Sequence, residues 1–366
     1  MAEFFRADKK CDRALLAAVL VITVLGMVYL YSTGAYYGQA RFHDSAYYFK
    51  KQLLAVSLGL AVMAGVSCVD YHLVIRYAGL IYFLSLILST AVLFVGQEYN
   101  GSKRWLALGP LSFQPSELAK IAVILLLAGV ISRQGNKKTG LLFAVRIFLY
   151  VLPIVALVAT NNLSTAIIIL GIAACLIFMS NPYYMQFVGL GGAAVVLAGA
   201  FLAAESYRLE RIAVWLDPEN YDKGFQTIQG LYAIGSGGLF GAGLGGSMQK
   251  LGFVPEAQND MIFSIVCEET GFFGAVFLLG VFGFLLWRLM LMSVRAPDLK
   301  GSLICAGIMI HIALQVLLNV AVVTNSIPNT GITLPFISYG GTSVVFLHGE
   351  MGIALNISRQ MVHRSP

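Results

Sequence analysis

Charge is scarce in this sequence. Only 11% of its 366 residues are Asp, Glu, Lys or Arg, whereas 58% are hydrophobic. A soluble domain carries about a quarter charged residues, so a water-solvated globule is excluded. Cysteine is equally sparse. Cys11, Cys68, Cys175, Cys267 and Cys305 are scattered without CxxC spacing, which argues against both a disulfide framework and a thiolate metal site. The short alternating segments of a membrane barrel are also missing, as are low-complexity tails and any stretch that reads as an attached soluble domain.

Long apolar runs fill the space left by these absences. In lipid each span must satisfy its own backbone hydrogen bonds, so the runs are expected to be helices. A span takes about twenty mostly apolar residues, and roughly ten stretches qualify. They start near Ala14, Gln52, Tyr77, Pro115, Leu141, Leu163, Tyr184, Asp260, Ser302 and Thr342. The fold class is therefore an all-α polytopic membrane protein, a single domain over residues 1–366. The first run follows Arg6, Lys9, Lys10 and Arg13 and is too long for a cleavable signal core. The run from Asp260 to Met292 exceeds a straight span, so it tilts or projects beyond the bilayer.

An even count puts both termini on one side. The positive-inside rule makes that side cytoplasmic, because Arg76, Arg133, Lys137, Lys138, Arg295, Lys300, Arg359 and Arg364 join the N-terminal cluster there. The net charge of +6 then points to anionic lipid headgroups rather than nucleic acid. Three segments face the other side: Gln97–Ser116, a large loop over about 205–259 between the seventh and eighth spans, and Asn325–Gly341.

These segments hold the residue types that carry chemistry. Gly241-Ala-Gly243-Leu-Gly245-Gly246 matches GxGxxG, but no βαβ context surrounds it. Close backbone packing is the first reading of these glycines; a nest of N–H groups for a phosphate is the second. Asn259 or Asp260 can cap the helix that follows. At the edge of a partly desolvated pocket the pKa of Asp260 would rise, which suits a general base. Glu268 and Glu269 lie two turns further in, where ionisable groups are paired or functional. Lys103, Arg104 and Trp105 precede a helix whose Glu117 and Lys120 share a face and can pair. Pro328 to Ser343 contains two prolines and three glycines, which break any helix; non-helical backbone at membrane depth lines a cavity or is buried in protein. His311, His348 and Glu350 fall inside apolar runs, and a hydrogen-bonded partner on another helix is the default for each.

Taken together, KRWLALGPLSFQPSELAK, AIGSGGLFGAGLGGSMQKLGFVPEAQNDMIF with CEETGFFG, and PNTGITLPFISYGGTS resemble the SEDS family (shape, elongation, division and sporulation: FtsW, RodA and SpoVE). The resemblance covers almost the whole chain. It implies ten spans in a bacterial cell membrane and polymerisation of lipid II into glycan strands on the outer face. It implies Asp260 as the catalytic aspartate. Lys103, Arg104, Arg208, Arg211 and Lys250 are then the cations available to the departing lipid pyrophosphate. Trp105, Glu117, Lys120, Ser338, Tyr339 and Gly340 are further candidates to line the substrate site. The family also implies a class B penicillin-binding protein as partner. A divalent cation (Mg or Mn) beside the pyrophosphate fits this chemistry, although no metal-ligand cluster announces one.

Two departures from the family pattern stand out. Gln258-Asn259 replaces the usual His-Thr before the aspartate, and Thr160-Asn161-Asn162-Leu163-Ser164-Thr165 replaces Gln-Pro-Asp-x-Gly-Thr. Thr333 and Pro255-Glu256-Ala257 look more like division and sporulation members than elongation members. A lipid II transporter and a non-catalytic scaffold that activates a transpeptidase are the alternatives to the polymerase, and Asp260 discriminates among the three.

Overall fold

The computed structural model describes residues 11–99, 102–108, 111–134, 140–180 and 212–361. The expected span near Tyr184 and the expected cations Arg208 and Arg211 lie outside the described residues, and so does the side chain of Lys103.

Helices dominate. They are α1 (Arg13–Phe42), α2 (Tyr47–Cys68), α3 (Tyr71–Arg76), α4 (Ala78–Val95), α5 (Pro115–Gln134), α6 (Leu141–Asn161), α7 (Leu163–Ser180), α8 (Phe225–Gly237), α9 (Ile262–Arg295), α10 (Leu299–Val323) and α11 (Gly341–Gln360). Eight of those described are long and apolar enough to cross a membrane. α11 is also 20 residues long, but His348, Glu350 and Asn356 lower its hydropathy. α10 is packed by α5, α7 and α9, and α11 lies along α2. The approach of α11 to α2 depends on Gly352, where an added Cβ would come within 2.7 Å of the Met63 carbonyl.

Termini of the helices are set locally. Asp12 caps α1 by accepting from the Leu15 N–H at 2.9 Å, and it also pairs with Arg288 of α9. Such caps satisfy N–H groups that the first turn leaves free.

One addition to the all-α expectation is small. The segment expected to be the first on the outer side forms an antiparallel sheet of β1 (Gln97–Tyr99), β2 (Ser102–Leu108) and β3 (Leu111–Phe113) in the order β1-β2-β3. Leu106 of β2 pairs with Phe113 of β3, so the sheet hands the chain directly to the start of α5.

The long run beginning at Asp260 departs from expectation in two ways. The helix starts at Ile262, with Met261 as a cap that makes no side-chain bond, so neither Asn259 nor Asp260 is its N-cap. The helix is then broken at Gly271 (φ 64°, ψ −166°). A break at membrane depth strands backbone groups that lipid cannot satisfy. The glycine run fills that need. Ala242 and Gly243 donate to the Glu268 and Glu269 carbonyls at 2.9 Å, while the Phe272 and Phe273 amides donate to Gly238 and Leu239 at 2.9 and 3.2 Å. The two backbones cross so closely that a Cβ on Gly241 would lie 2.3 Å from the Glu269 carbonyl oxygen, and one on Gly271 would lie 2.4 Å from the Gly241 nitrogen. Close packing, the first reading of these glycines, is what the geometry shows.

Candidate active site

Asp260 sits in the non-helical segment that precedes α9, and three other pieces of chain converge on it. Gln226 of α8 donates to its Oδ1 at 3.3 Å and to the Pro255 carbonyl at 3.3 Å. Asn329 donates to the Oε1 of the same Gln226 at 3.2 Å. Asn319 of α10 donates to the Asp260 carbonyl at 2.8 Å and to the Ile332 carbonyl at 2.7 Å. Gly331 lies so close that a Cβ there would stand 3.9 Å from Asp260 Oδ2.

The carboxyl itself is half-buried. Desolvation pushes its pKa up to about 6, and the negative charge of Glu256 adds to the rise; the Gln226 bond and the N–H groups of Asp260 and Met261 oppose it. Removal from water disfavours the charged form. A carboxylic acid that titrates near neutrality can take up and return a proton under working conditions, which is what a general base needs. Backbone strain marks both walls of the site. Glu256 and Phe336, neither of them glycine, occupy the left-handed region at φ 49° and 63°. Such residues persist only where the surroundings hold them.

The broken segment 325–340 forms the second wall. The Tyr339 N–H donates to the Gln258 carbonyl at 2.9 Å, which joins the two loops. Gln52 of α2, fully buried, donates to the Ser338 carbonyl and accepts from the Gly340 N–H, each at 3.2 Å. Ser338 Oγ accepts from the Leu334 N–H at 2.8 Å. Ser338, Tyr339 and Gly340 thus hold this wall in shape. At the other end, Ser164 Oγ donates to the Thr330 carbonyl, so the segment that departs from the family pattern still anchors the site.

Lys120 and Glu117 pair at 3.0 Å and are both buried. They connect to the wall through Gln315 of α10, which accepts from Lys120 at 3.4 Å and donates to the Thr333 carbonyl at 3.1 Å. Arg104 Nε donates to the Asn161 carbonyl at 2.7 Å, and Arg104 lines a cleft with Ser89, Ser116 and Asn162. Trp105 is half-buried in β2. Lys250 is not drawn to Asp260: its ammonium pairs with Glu269 at 2.7 Å and donates to Ser32 Oγ at 2.8 Å. Glu268 beside it accepts from Ser247 Oγ and from the Met248 N–H at 3.0 Å. The buried histidines find partners as well. His311 Nδ1 stands 3.0 Å from Glu350, which accounts for that mid-helix carboxylate, and His348 lies 3.3 Å from Thr23 Oγ1.

Gln52, Gln226, Gln315 and Asn319 are site residues that sequence reasoning passed over. Two of them, Gln52 and Gln226, had little signal. Asn319 and Gln315 with His311, however, recur every four residues in an apolar helix, and that spacing alone puts them on one face. Among the described residues no group of three or more His, Cys, Asp or Glu is placed to hold a metal ion.

This architecture has known counterparts. The profile of the FtsW/RodA/SpoVE family, described as "Cell cycle protein", matches residues 12–363. The chain is 37% identical over 356 residues to stage V sporulation protein E of Bacillus subtilis, covering 95% of this chain and 97% of that protein. It is 34% identical over 364 residues to a probable peptidoglycan glycosyltransferase FtsW of Saccharophagus degradans, covering 96% and 94%. Among solved structures it superposes on a chain of a peptidoglycan synthase complex that coordinates polymerization and crosslinking, with a TM-score of 0.82 and 30% identity over 95% of this chain and 98% of that one. On sequence, span pattern and fold alike, the chain belongs to the FtsW/RodA/SpoVE family of membrane proteins.

Proposed function

We propose that the protein is a peptidoglycan glycosyltransferase that joins lipid II units into glycan strands, with Asp260 as its base. The Bacillus relative is named for sporulation, and the Saccharophagus relative is named as a probable peptidoglycan glycosyltransferase. In the proposed step the 4-hydroxyl of the acceptor sugar attacks the anomeric carbon of the donor. The new C–O bond forms as the bond to the lipid pyrophosphate breaks, with inversion at that carbon. Asp260 takes the hydroxyl proton, and the pyrophosphate leaves with the electron pair. Cations near the outer rim stabilise the charge that develops there, and Arg104 is the described candidate. A divalent cation beside the pyrophosphate would rest mainly on the substrate's own phosphates, since among the described residues no group of three or more His, Cys, Asp or Glu is placed to hold one.

The observation that carries this reading is a single carboxyl raised to about 6, held by neutral amides where two strained loops meet. A class B penicillin-binding protein is the expected partner, in keeping with the complex that the fold resembles. The positive-inside rule supports a cytoplasmic side for both termini. The test is polymerisation of purified lipid II by the purified full-length chain, with and without such a partner, wild type against Asp260→Asn. Wild-type strands of normal length made by the Asn variant would overturn the assignment.

A further inference from the structure

His311, Gln315 and Asn319 form one polar stripe on α10, and all three are buried. Each is engaged differently: His311 with Glu350, Gln315 with Lys120 and the Thr333 carbonyl, Asn319 with the Asp260 and Ile332 carbonyls. The last of these spans two segments that have no regular structure of their own. A side-chain amide offers two N–H donors, and Asn319 turns both toward main-chain carbonyls. Its own Oδ1 is buried without a hydrogen-bond partner among the described residues. An unmet buried acceptor is costly, so packing alone would favour an apolar residue of similar volume. The two donors are the feature that an apolar residue cannot supply.

We propose that Asn319 is a positioning residue for the reaction, fixing the Asp260 main chain against the segment around Ile332 so that the carboxylate meets the acceptor hydroxyl at one distance. The inference rests on Asp260 as the base. In this structure Asn319 contacts the Asp260 backbone, so it acts on the chemistry through Asp260. Around the carboxyl, the charged group that acts on it is Glu256 of its own loop; Gln226 of α8, Asn319 of α10 and Gly331 are neutral.

The test compares wild type, Asn319→Leu and Asn319→Thr as purified full-length proteins, measuring lipid II polymerisation rates against pH. Asn319→Leu keeps the branched shape, with somewhat more volume, and loses both donors. A small misplacement of a catalytic group costs on the order of 100-fold, so kcat is expected to fall about 10- to 100-fold while KM stays within about twofold. The acid limb of the rate profile should move to lower pH, because a loosened carboxyl reaches water and returns toward its ordinary range. Asn319→Thr keeps one donor and gives a smaller shift; it carries the test if the Leu variant does not fold. An unmoved acid limb, with the whole profile scaled down in step with a lower Tm, would show an ordinary packing role and overturn the proposal. So would a wild-type profile in the variant that folds. A fully active Asp260→Asn protein would remove the base reading and this inference together, whereas a dead Asp260→Asn beside an unaltered Asn319→Leu would remove the inference alone.

Discussion

Asp260 and the Glu268–Glu269 pair lie within one short stretch of chain, and their surroundings are opposite. Glu269 is fully buried against the Lys250 ammonium and Ser32; Glu268 collects a hydroxyl and main-chain N–H groups from residues 247–249. Glu269 is met by a cation and Glu268 by several donors, as a buried anion must be. Asp260 receives a single side-chain donor, Gln226, and its main chain is gripped instead. A carboxylate locked into an ion pair cannot take a proton from a substrate. One that is held by its backbone, with neutral donors in place of a cation at its carboxyl, can. The contrast separates a group that fastens the loop from a group that can react.

The sharpest way to break this contrast is to neutralise Asp260. Asp260→Asn should reduce polymerisation by about 100-fold or more, the size of a lost general base, while the melting temperature in detergent stays at the wild-type value. Loss of folding instead of loss of rate would put Asp260 in the same class as Glu269.

The reverse is expected at the fastener. Lys250→Met leaves Glu269 buried without its cation, and removing one partner of a buried pair costs about 3–5 kcal/mol. Thermal unfolding should show that loss directly. Proteolysis should find the 238–253 loop more open, and activity should fall only with the folded fraction. A variant that stays as stable as wild type but cannot polymerise would instead return Lys250 to the substrate site.

Gly241→Ala tests the same fastener from the backbone side. The position has φ 77°, and the new Cβ would sit 2.3 Å from the Glu269 carbonyl oxygen. Backbone strain of this kind costs about 1–3 kcal/mol, read as a drop in Tm, with no shift of the pH profile. A moved profile would mean that the crossing at Gly241 and Gly271 also shapes the Asp260 pocket.

The helical plan was readable because apolar runs of span length leave few other structures in lipid. The break at Gly271 was not, because glycine inside an apolar run is compatible with an unbroken helix; only the crossing with residues 238–243, far away in sequence, decides it. The Glu117–Lys120 pair was legible from its spacing, and the position of Asp260 just ahead of a long helix from the chain pattern. Lys250 misled because a lysine in an outer loop reads as available until its partner is known. Gln226 and Gln52 were invisible because their partners, the Asp260 carboxyl and main-chain groups of Pro255, Ser338 and Gly340, are brought to them only by the fold. The three outer strands were missed for a similar reason: their pairing is backbone to backbone.

The smallest effect is expected at Gln226, and its sign separates two kinds of support for one carboxyl. Gln226 donates to Oδ1 and so favours the charged form. Gln226→Leu removes that donor, and the Asp260 pKa should rise above its value of about 6. A neutral hydrogen bond is worth about 0.5–1.5 kcal/mol, which corresponds to a shift of at most about one pH unit. The acid limb therefore moves to higher pH, opposite to the shift expected for Asn319→Leu, and the rate on the alkaline plateau changes by only about twofold, because there the base is ionised in both proteins. Rate against pH for the two variants side by side is the measurement. Limbs that move in the same direction would mean that Gln226 and Asn319 grip the same thing, and that the distinction between holding the backbone of Asp260 and tuning its carboxyl does not hold.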